Sequence, residues 1–440
     1  MKDWNYLLSD IVAKRWKDPS TGRSAVVPFE TIFLSENLDG QEADLVSPLN
    51  LGKRLAIVSD TNTIDAMAGR IARSLRSIAT IDEIVLPAED LGCDESTIEN
   101  VQKLTRYADG VVAVGSGVIS DLCKHATYLD GRPFVTFGTA ASMNGYAAST
   151  ASVTLKNGFK TSVPSHAPRG IFLDLSISAA APNYLSAAGL GDCLCRSTAQ
   201  IDWWASHRLF DTFYSSTPYI LQENDEHEML SSAAGLARGD VKAVGHLHRV
   251  LTLCGLGVCF TGVSNHGSMG EHQVSHWIDM FAGKFHPGSL HGQQVGIASI
   301  VIARLQQKIL AMETLPEFNP LKIDDDAILR RYGNEIGKHC IAECRKKAFD
   351  SDGAKNFNRK LQELWPTLRC ELKNFAVRPD EMEAALKASG GPIDADGLGL
   401  DRKIFRDSIK YAREIRGRWS FLDLADDLSI LDQFLEEEGL

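Results

Sequence analysis

The sequence predicts a parallel α/β domain over residues 1–180, followed by a mostly α-helical domain over residues 181–440. Three observations predict it. Runs rich in β-formers alternate with helical stretches through the first third of the chain. Those runs are apolar throughout rather than at every second residue. After Pro182, long segments of Ala, Leu, Glu, Lys and Arg replace them. Strands separated by helices of this length imply βαβ units with right-handed crossovers, and unbroken apolar runs fit strands covered on both faces.

Arg54–Asp60 (RLAIVSD) is the first expected strand, followed by a helix over 63–77. Residues 83–87 (EIVLP) form the second strand and 95–107 the next helix. Gly110–Gly115 (GVVAVG) is the third strand, with a helix over 118–128 after it, and 134–137 is the fourth. A β-rich passage runs from about Ser152 through 171–175, so the junction with the helical part falls between 160 and 185. Polar stretches at 315–326 and 388–400 read as connections between helices.

Composition narrows the function. The net charge of −11 argues against a surface for nucleic acid or anionic membrane, because either needs a basic face. An anionic substrate would therefore need a local cationic pocket. Lys160 and Arg169 are candidates, with plain surface charge as the competing reading. The amino-terminal stretch MKDWNYLLSDIVAKRWKDPS has no uninterrupted apolar run and no small-residue cleavage site, which is unlike a signal peptide. No run of about 18 apolar residues lacks a charge, so no membrane span is expected. Nine scattered cysteines with no CxxC pair read as reduced thiols of a cytoplasmic protein.

Ligands of open α/β sheets bind outside the carboxyl ends of the strands. Gly115-Ser116-Gly117 sits directly between an expected strand and helix, where small residues let backbone N–H groups approach a pyrophosphate. A tight βα turn favours glycine in any case. Ser59-Asp60-Thr61-Asn62-Thr63 closes the first strand; its carboxylate can bond ribose hydroxyls, or it can cap the following helix, or both. Thr139-Ala140-Ala141-Ser142 follows the fourth strand and by itself reads as a loop.

The second chemical cluster lies in Gly270-Glu271-His272-Gln273-Val274-Ser275-His276 and Leu290-His291-Gly292-Gln293-Gln294-Val295-Gly296. His272 and His276 are four apart and share a helix face. His291 opens what reads as a new helix. A lone histidine is more often a cap or a core residue, but His266 and His286 add to the same short region. Two or three imidazoles there suit a metal, with a carboxylate from elsewhere completing three ligands and leaving a position open. Asp192 is the attractive donor, although it could simply begin a helix. Cys193 and Cys195 beside it read as packing thiols.

Together these segments resemble one family. GSGVISDLCK (115–124) is similar to the glycine-rich segment of the iron-containing alcohol dehydrogenase and dehydroquinate synthase superfamily. TAASMNGYAAS (139–149) resembles a segment of sn-glycerol-1-phosphate dehydrogenases in particular. GLGDCLCRSTAQIDWW, GEHQVSH and LHGQQVG follow in that family's order, and RGRWSFLDLADDL (416–428) adds a looser match. The resemblance implies a Rossmann-like first domain that binds the dinucleotide. It also implies a helical, dehydroquinate synthase-like second domain that binds metal and substrate.

By resemblance, Asp192, His272 and His291 hold one divalent metal, zinc being favoured over iron or nickel. His276 then contacts substrate or serves catalysis without being a ligand. Asp60, Asn62, Gly115, Ser116, Gly117, Asp121, Thr139 and Ser142 contact NAD(H) or NADP(H), and Asp60 favours NADH. The implied reaction is reversible reduction of dihydroxyacetone phosphate to sn-glycerol 1-phosphate, in phospholipid metabolism. The alternatives are another small phosphorylated ketone or polyol, or a synthase-like carbon–oxygen lyase. Partners are then a small phosphorylated ketone or alcohol, with self-association into a homo-oligomer left open. Asn144 stands where the family has a substrate-contacting aspartate, Ala148 where it has serine, and Gln293 where it has glutamate. Ser116 replaces a glycine.

Overall fold

The apolar runs of the first third assemble into one six-stranded, fully parallel sheet in the computed structural model, which describes residues 3–320 and 322–440. The first two residues of the amino-terminal stretch, and Leu321 of the expected 315–326 connection, lie outside the described residues. The strands are β1 (Thr31–Ser35), β2 (Arg54–Asp60), β3 (Thr80–Leu86), β4 (Gly110–Gly115), β5 (Phe134–Gly138) and, after a hairpin of β6 (Thr150–Thr154) and β7 (Lys160–Pro164), β8 (Gly170–Asp174). Their order is β1-β8-β5-β4-β2-β3.

Alternate residues explain why these runs are apolar throughout. Leu55 and Ile57 of β2, with Val112 and Val114 of β4, pack into one core. Ala56 and Val58, with Val111 and Ala113, pack into another on the opposite face. Strand side chains point alternately up and down, so two covered faces require apolar residues at every position. One strand was not expected. β1 (TIFLS) buries only alternate residues and pairs in parallel with β8 at the edge of the sheet. It is short, and no helical pattern follows it directly to announce a βαβ unit.

From β2 the chain steps outward to β3, then returns past β2 to β4 and continues in that direction to β5. The strand order therefore reverses between β2 and β4. In open parallel sheets such a switch point leaves a crevice at the carboxyl ends of the strands.

Two compact units emerge. One comprises Met1–Leu190, Ser216–Val263 and Ala388–Gly390; the other comprises Gly191–Ser215, Ser264–Lys387 and Gly391–Leu440. Each is discontinuous in sequence, where the sequence reading places a single boundary after residue 180. The passage from one to the other falls inside the helix Asn183–Phe210. The first unit takes the helix Val241–Thr261, capped by Asp240 at its start and by Gly262 in the left-handed region at its end. That helix is long and apolar enough to cross a membrane, but 83% of its most apolar window is buried inside the protein, as in a core helix. The second unit is helical, and its core gathers Val274, Ile278, Ile297, Val301, Trp365 and Phe421.

Candidate active site

The sheet-bearing unit brings the turns after β2, β4 and β5 together at the switch point. Gly115 ends β4, and Ser116 takes the N-cap position of the helix Gly117–Asp130 in extended conformation. A Cβ on Gly115 would fall 2.7 Å from the Ile119 Cβ, so only glycine lets the helix fold back this tightly. The Ser116 and Ser142 hydroxyls are 2.5 Å apart. The Thr139 N–H donates to the Gly115 carbonyl at 3.1 Å. The Tyr146 hydroxyl lies 3.1 Å from both the Gly115 and Ala140 carbonyls. The expected cofactor residues Gly115, Ser116, Gly117, Thr139 and Ser142 are thus neighbours, around a helix N-terminus suited to a phosphate.

Asp60 follows β2, the adjacent strand. Its Oδ1 accepts the N–H groups of Asn62 and Thr63, each at 2.8 Å, and the Thr63 hydroxyl lies 3.1 Å from the Val114 carbonyl at the end of β4. The capping role is therefore real. It occupies Oδ1; Oδ2 accepts no hydrogen bond among the described residues. Asp121 is tied into the structure. Its Oδ1 pairs with the fully buried Lys124 at 2.9 Å, and its Oδ2 accepts the Ser152 N–H at 3.1 Å. The Lys124 ammonium also donates to the Gly145 and Thr150 carbonyls at 2.7 and 3.1 Å. Asn144, one residue before Gly145, places Nδ2 3.6 Å from the Cys254 sulfur.

The helical unit contains the metal-type cluster. Donor atoms of Asp192, His272 and His291 all lie within 4.8 Å of one another. Asp192 does not begin its helix, as it could have from sequence. It sits more than two turns inside Asn183–Phe210 and is 2% exposed. A carboxylate buried in a helix interior needs a positive partner. Close helix contact delivers it: a Cβ on Gly191 would meet the Gly292 carbonyl oxygen at 2.2 Å, and one on Gly296 would meet the Gly191 Cα at 3.0 Å. Glycines beside Asp192 and His291 thus let two backbones touch, with a metal-type donor next to each.

Each imidazole is held from behind. His272 Nδ1 lies 3.1 Å from a Glu271 carboxylate oxygen, leaving Nε2 to face Asp192 Oδ1 at 3.5 Å. Burial presses this imidazole towards its neutral form, but Asp192 and Glu271 outweigh burial and raise its pKa to about 9. The place therefore attracts positive charge. Glu271 itself is fully buried and accepts the Met269 N–H at 2.7 Å. Asp202, nearby, is raised well above the usual carboxylate range by burial and then by Glu271.

For His291 the support is a hydrogen-bonded chain that ends on a carboxylate. Gln294 Nε2 donates to Asp279 Oδ1 at 3.0 Å, which aims Gln294 Oε1 at the Ser275 hydroxyl, 2.7 Å away. Ser275 spends its proton on that oxygen and so accepts from His291 Nδ1 at 2.8 Å. Nδ1 then carries the hydrogen, and Nε2 is left with its lone pair. Orienting hydrogen bonds of this kind fix the tautomer of a ligating histidine. The remaining departure also has a structural role: Gln293 Oε1 accepts the Leu290 N–H at 2.9 Å and so caps the helix His291–Ala311.

His276 stands just outside the cluster, its ring centre 5.6 Å from that of His291 and 6.5 Å from that of His272. Arg416 Nη2 lies 3.5 Å from its Nδ1. A second close group, Cys195, Glu271 and His272, shares His272, and the Cys195 thiol is directed at the Asp192 carbonyl at 3.0 Å. His286 pairs with Asp279 at 3.1 Å, behind the Gln294 chain. Sequence reading missed Glu271, Ser275, Gln294 and Arg416. The one available signal was Glu271, a charge placed against the metal-type histidine.

The donor set fits a divalent ion, since two imidazoles and one carboxylate converge where positive charge is favoured. Arg169, a candidate phosphate ligand from sequence, donates to the Leu49 carbonyl at 2.8 Å and lies 3.5 Å from Glu30. It fastens the foot of the sheet.

Residues 33–182 match the family described as iron-containing alcohol dehydrogenase. Glycerol-1-phosphate dehydrogenase [NAD(P)+] of Bacillus velezensis is 28% identical, the alignment covering 85% of this chain and 86% of that one. The Bacillus subtilis protein of the same name is 26% identical over 91% of this chain and 92% of its own. Among solved structures, a probable glycerol dehydrogenase from Sinorhizobium meliloti superposes with a TM-score of 0.60 at 17% identity, covering 93% of this chain and 98% of that one. Maleylacetate reductase from Rhizobium sp. also gives 0.60, at 15% identity, covering 94% and 97%. These structures share the fold.

Proposed function

Because this chain is related along most of its length to glycerol-1-phosphate dehydrogenases, and through its sheet to iron-containing alcohol dehydrogenases, we propose that it interconverts dihydroxyacetone phosphate and sn-glycerol 1-phosphate. It is an NAD(P)-dependent oxidoreductase, and the reaction moves a hydride between a nicotinamide and the ketone carbon. The observation that carries the reading is the convergence of the buried Asp192 and His272 with the half-buried His291. When bound there, a divalent ion polarises a carbonyl oxygen and stabilises the negative charge that develops on it.

The chain's own residues supply the rest. Asp192, His272 and His291 would hold the ion, with Glu271 and the Ser275–Gln294–Asp279 chain fixing both rings. Zinc is favoured over iron and nickel, since hydride transfer asks no redox change of the ion. His276 holds or passes the proton that the alkoxide takes up, as a positioned imidazole can. The Gly115–Gly117 turn takes the pyrophosphate, with Asn62, Thr139 and Ser142 lining the cofactor's course. Asp60, which would repel a 2′-phosphate, favours NADH. Asn144 and His276 contact substrate. In this scheme residues 1–180 bind the dinucleotide and 181–440 the metal and substrate, and the enzyme works in the cytoplasm.

The test is NADH and NADPH oxidation by metal-replete protein with dihydroxyacetone phosphate, beside unphosphorylated dihydroxyacetone and the Asp192→Ala and His291→Ala variants. Turnover that strongly prefers the phosphorylated ketone, and is lost in both variants, is expected. Metal and dinucleotide binding without any such turnover would sink the substrate assignment.

A further inference from the structure

The proposed substrate carries a phosphate, yet the chain is net acidic, and Lys160 and Arg169 both lie in the sheet-bearing unit. The helical unit has a cation beside the metal-type cluster. Arg416 lies between the short helix Ala412–Glu414 and the helix Phe421–Asp427, in a connection fastened on several sides. The Gly417 N–H donates to Glu343 at 2.7 Å. Arg418 donates to the Ser268 carbonyl at 2.6 Å and to the Ser264 hydroxyl at 2.9 Å. Gln273 donates to the Arg418 carbonyl at 3.1 Å, and Phe421 N–H to Asp202 at 3.0 Å.

Arg416 is the exception in this fixed loop. Its guanidinium is half-buried and forms no ion pair with a carboxylate among the described residues. Its recorded neighbour is His276, at 3.5 Å. Glu343, the carboxylate that influences it, is already committed to Lys346 and to the Gly417 N–H. Arg418 adds a second cation two residues away, itself without an ion pair among the described residues. Burial first and Arg416 second push the Arg418 pKa down to about 10. Two guanidiniums held together at a half-buried position repel each other, a cost that an arriving anion would remove.

We propose that Arg416 is the anchor for the substrate's phosphate, reaching it past His276 while the ketone end lies at Asp192, His272 and His291. This rests on the reading of the substrate as a phosphorylated ketone. The scale agrees: Arg416 lies 3.5 Å from His276, whose ring centre is 5.6 Å from that of His291, and carbonyl oxygen and phosphate in a three-carbon ketone phosphate are on the order of 5 Å apart. A planar guanidinium with paired N–H groups suits a phosphate better than a point charge does.

The test uses metal-loaded wild type, Arg416→Gln and Arg416→Lys, with metal content measured on each. Two readouts are taken: the ratio of kcat/KM for dihydroxyacetone phosphate to that for dihydroxyacetone, and the affinity for inorganic phosphate. The Gln variant should lower the ratio by about 10- to 100-fold and weaken phosphate binding similarly, with Lys recovering part of both. A parallel fall for both ketones, leaving the ratio unchanged, would assign Arg416 a structural role and overturn the proposal. If the Gln variant fails to hold metal, the Lys variant decides by the same ratio. Should wild type not turn over dihydroxyacetone phosphate at all, the functional reading fails and the phosphate arm decides alone. Phosphate bound by wild type and weakened in the variants would then support an anchor for another phosphate ester. Phosphate bound equally by all three, or by none, would overturn it.

Discussion

Replacing Gly191 with alanine should damage the proposed metal site without touching any of its donors. The new Cβ would lie 2.2 Å from the Gly292 carbonyl oxygen, a backbone atom that cannot rotate away. Reaching even 3.0 Å, below which real Cβ contacts essentially do not occur, requires the two helices to part by about 0.8 Å. Asp192 moves with one helix and His291 with the other. Metal–ligand bonds of about 2 Å tolerate errors of about 0.2 Å, so the displacement is several times what the site can absorb. Overpacking of this kind costs about 1–3 kcal/mol. If the bound ion pulls the helices back together, that cost appears as roughly a 10- to 100-fold loss of metal affinity, at about 1.4 kcal/mol per tenfold. Competition against a chromophoric chelator measures the affinity, and melting curves of metal-free and metal-loaded protein show whether the cost falls on the fold instead. Gly296→Ala is the internal comparison. Its Cβ meets the Gly191 Cα at 3.0 Å and the flexible Leu386 side chain at 3.1 Å, so it should do less harm. Wild-type metal affinity and an unchanged melting shift in Gly191→Ala would refute the idea that this crossing sets the donor geometry.

Two further outcomes are expected. Ser275→Ala or Gln294→Leu removes the chain that keeps the hydrogen on His291 Nδ1, and should weaken metal binding about 10- to 100-fold while leaving Asp192 and His272 in place; nitrogen NMR showing an unchanged His291 tautomer in both variants would contradict this. His248 is buried, and burial alone lowers its pKa from 6.5 to about 3. Because the unfolded chain takes up this proton first, the stability associated with the neutral imidazole is complete above pH 6.5. It is lost as pH falls from there towards 3, by about 1.4 kcal/mol per unit. Denaturant midpoints measured at pH 7 and pH 5 should therefore fall less in His248→Gln than in wild type, and equal slopes would exclude the assignment.

The sheet was legible because β2 and β4 carry apolar runs followed by helix patterns, so period and order carry the same message. β1 carries half that signal, since only alternate residues are buried, and it pairs with β8, far along the chain. The segment 216–263 was equally opaque. Its helices are apolar enough for either unit, and nothing local says which core they enter. In the site, Asp192, His272 and His291 could be picked out by residue type and order. Their supports could not. Ser275 and Gln294 look like ordinary helix residues until two helices pack. Glu271 bonds the residue next to it, a neighbour that helix geometry does not ordinarily turn to face it. Arg416 reaches His276 across 140 residues of chain.

The Lys124 tie has a consequence for how such a protein can change over generations. Its ammonium holds the stretch that follows β5 through two main-chain carbonyls, those of Gly145 and Thr150, and the third acceptor is Asp121 on its own helix. No side chain of that stretch takes part in the attachment. A substitution at the half-buried Asn144 can therefore change that side chain while the main chain stays pinned in place. Of the two residues that depart there from the glycerol-1-phosphate dehydrogenase pattern, Asn144 is half-buried and has the freer hand for selection to explore, whereas Ala148 is buried and any larger side chain there must find room.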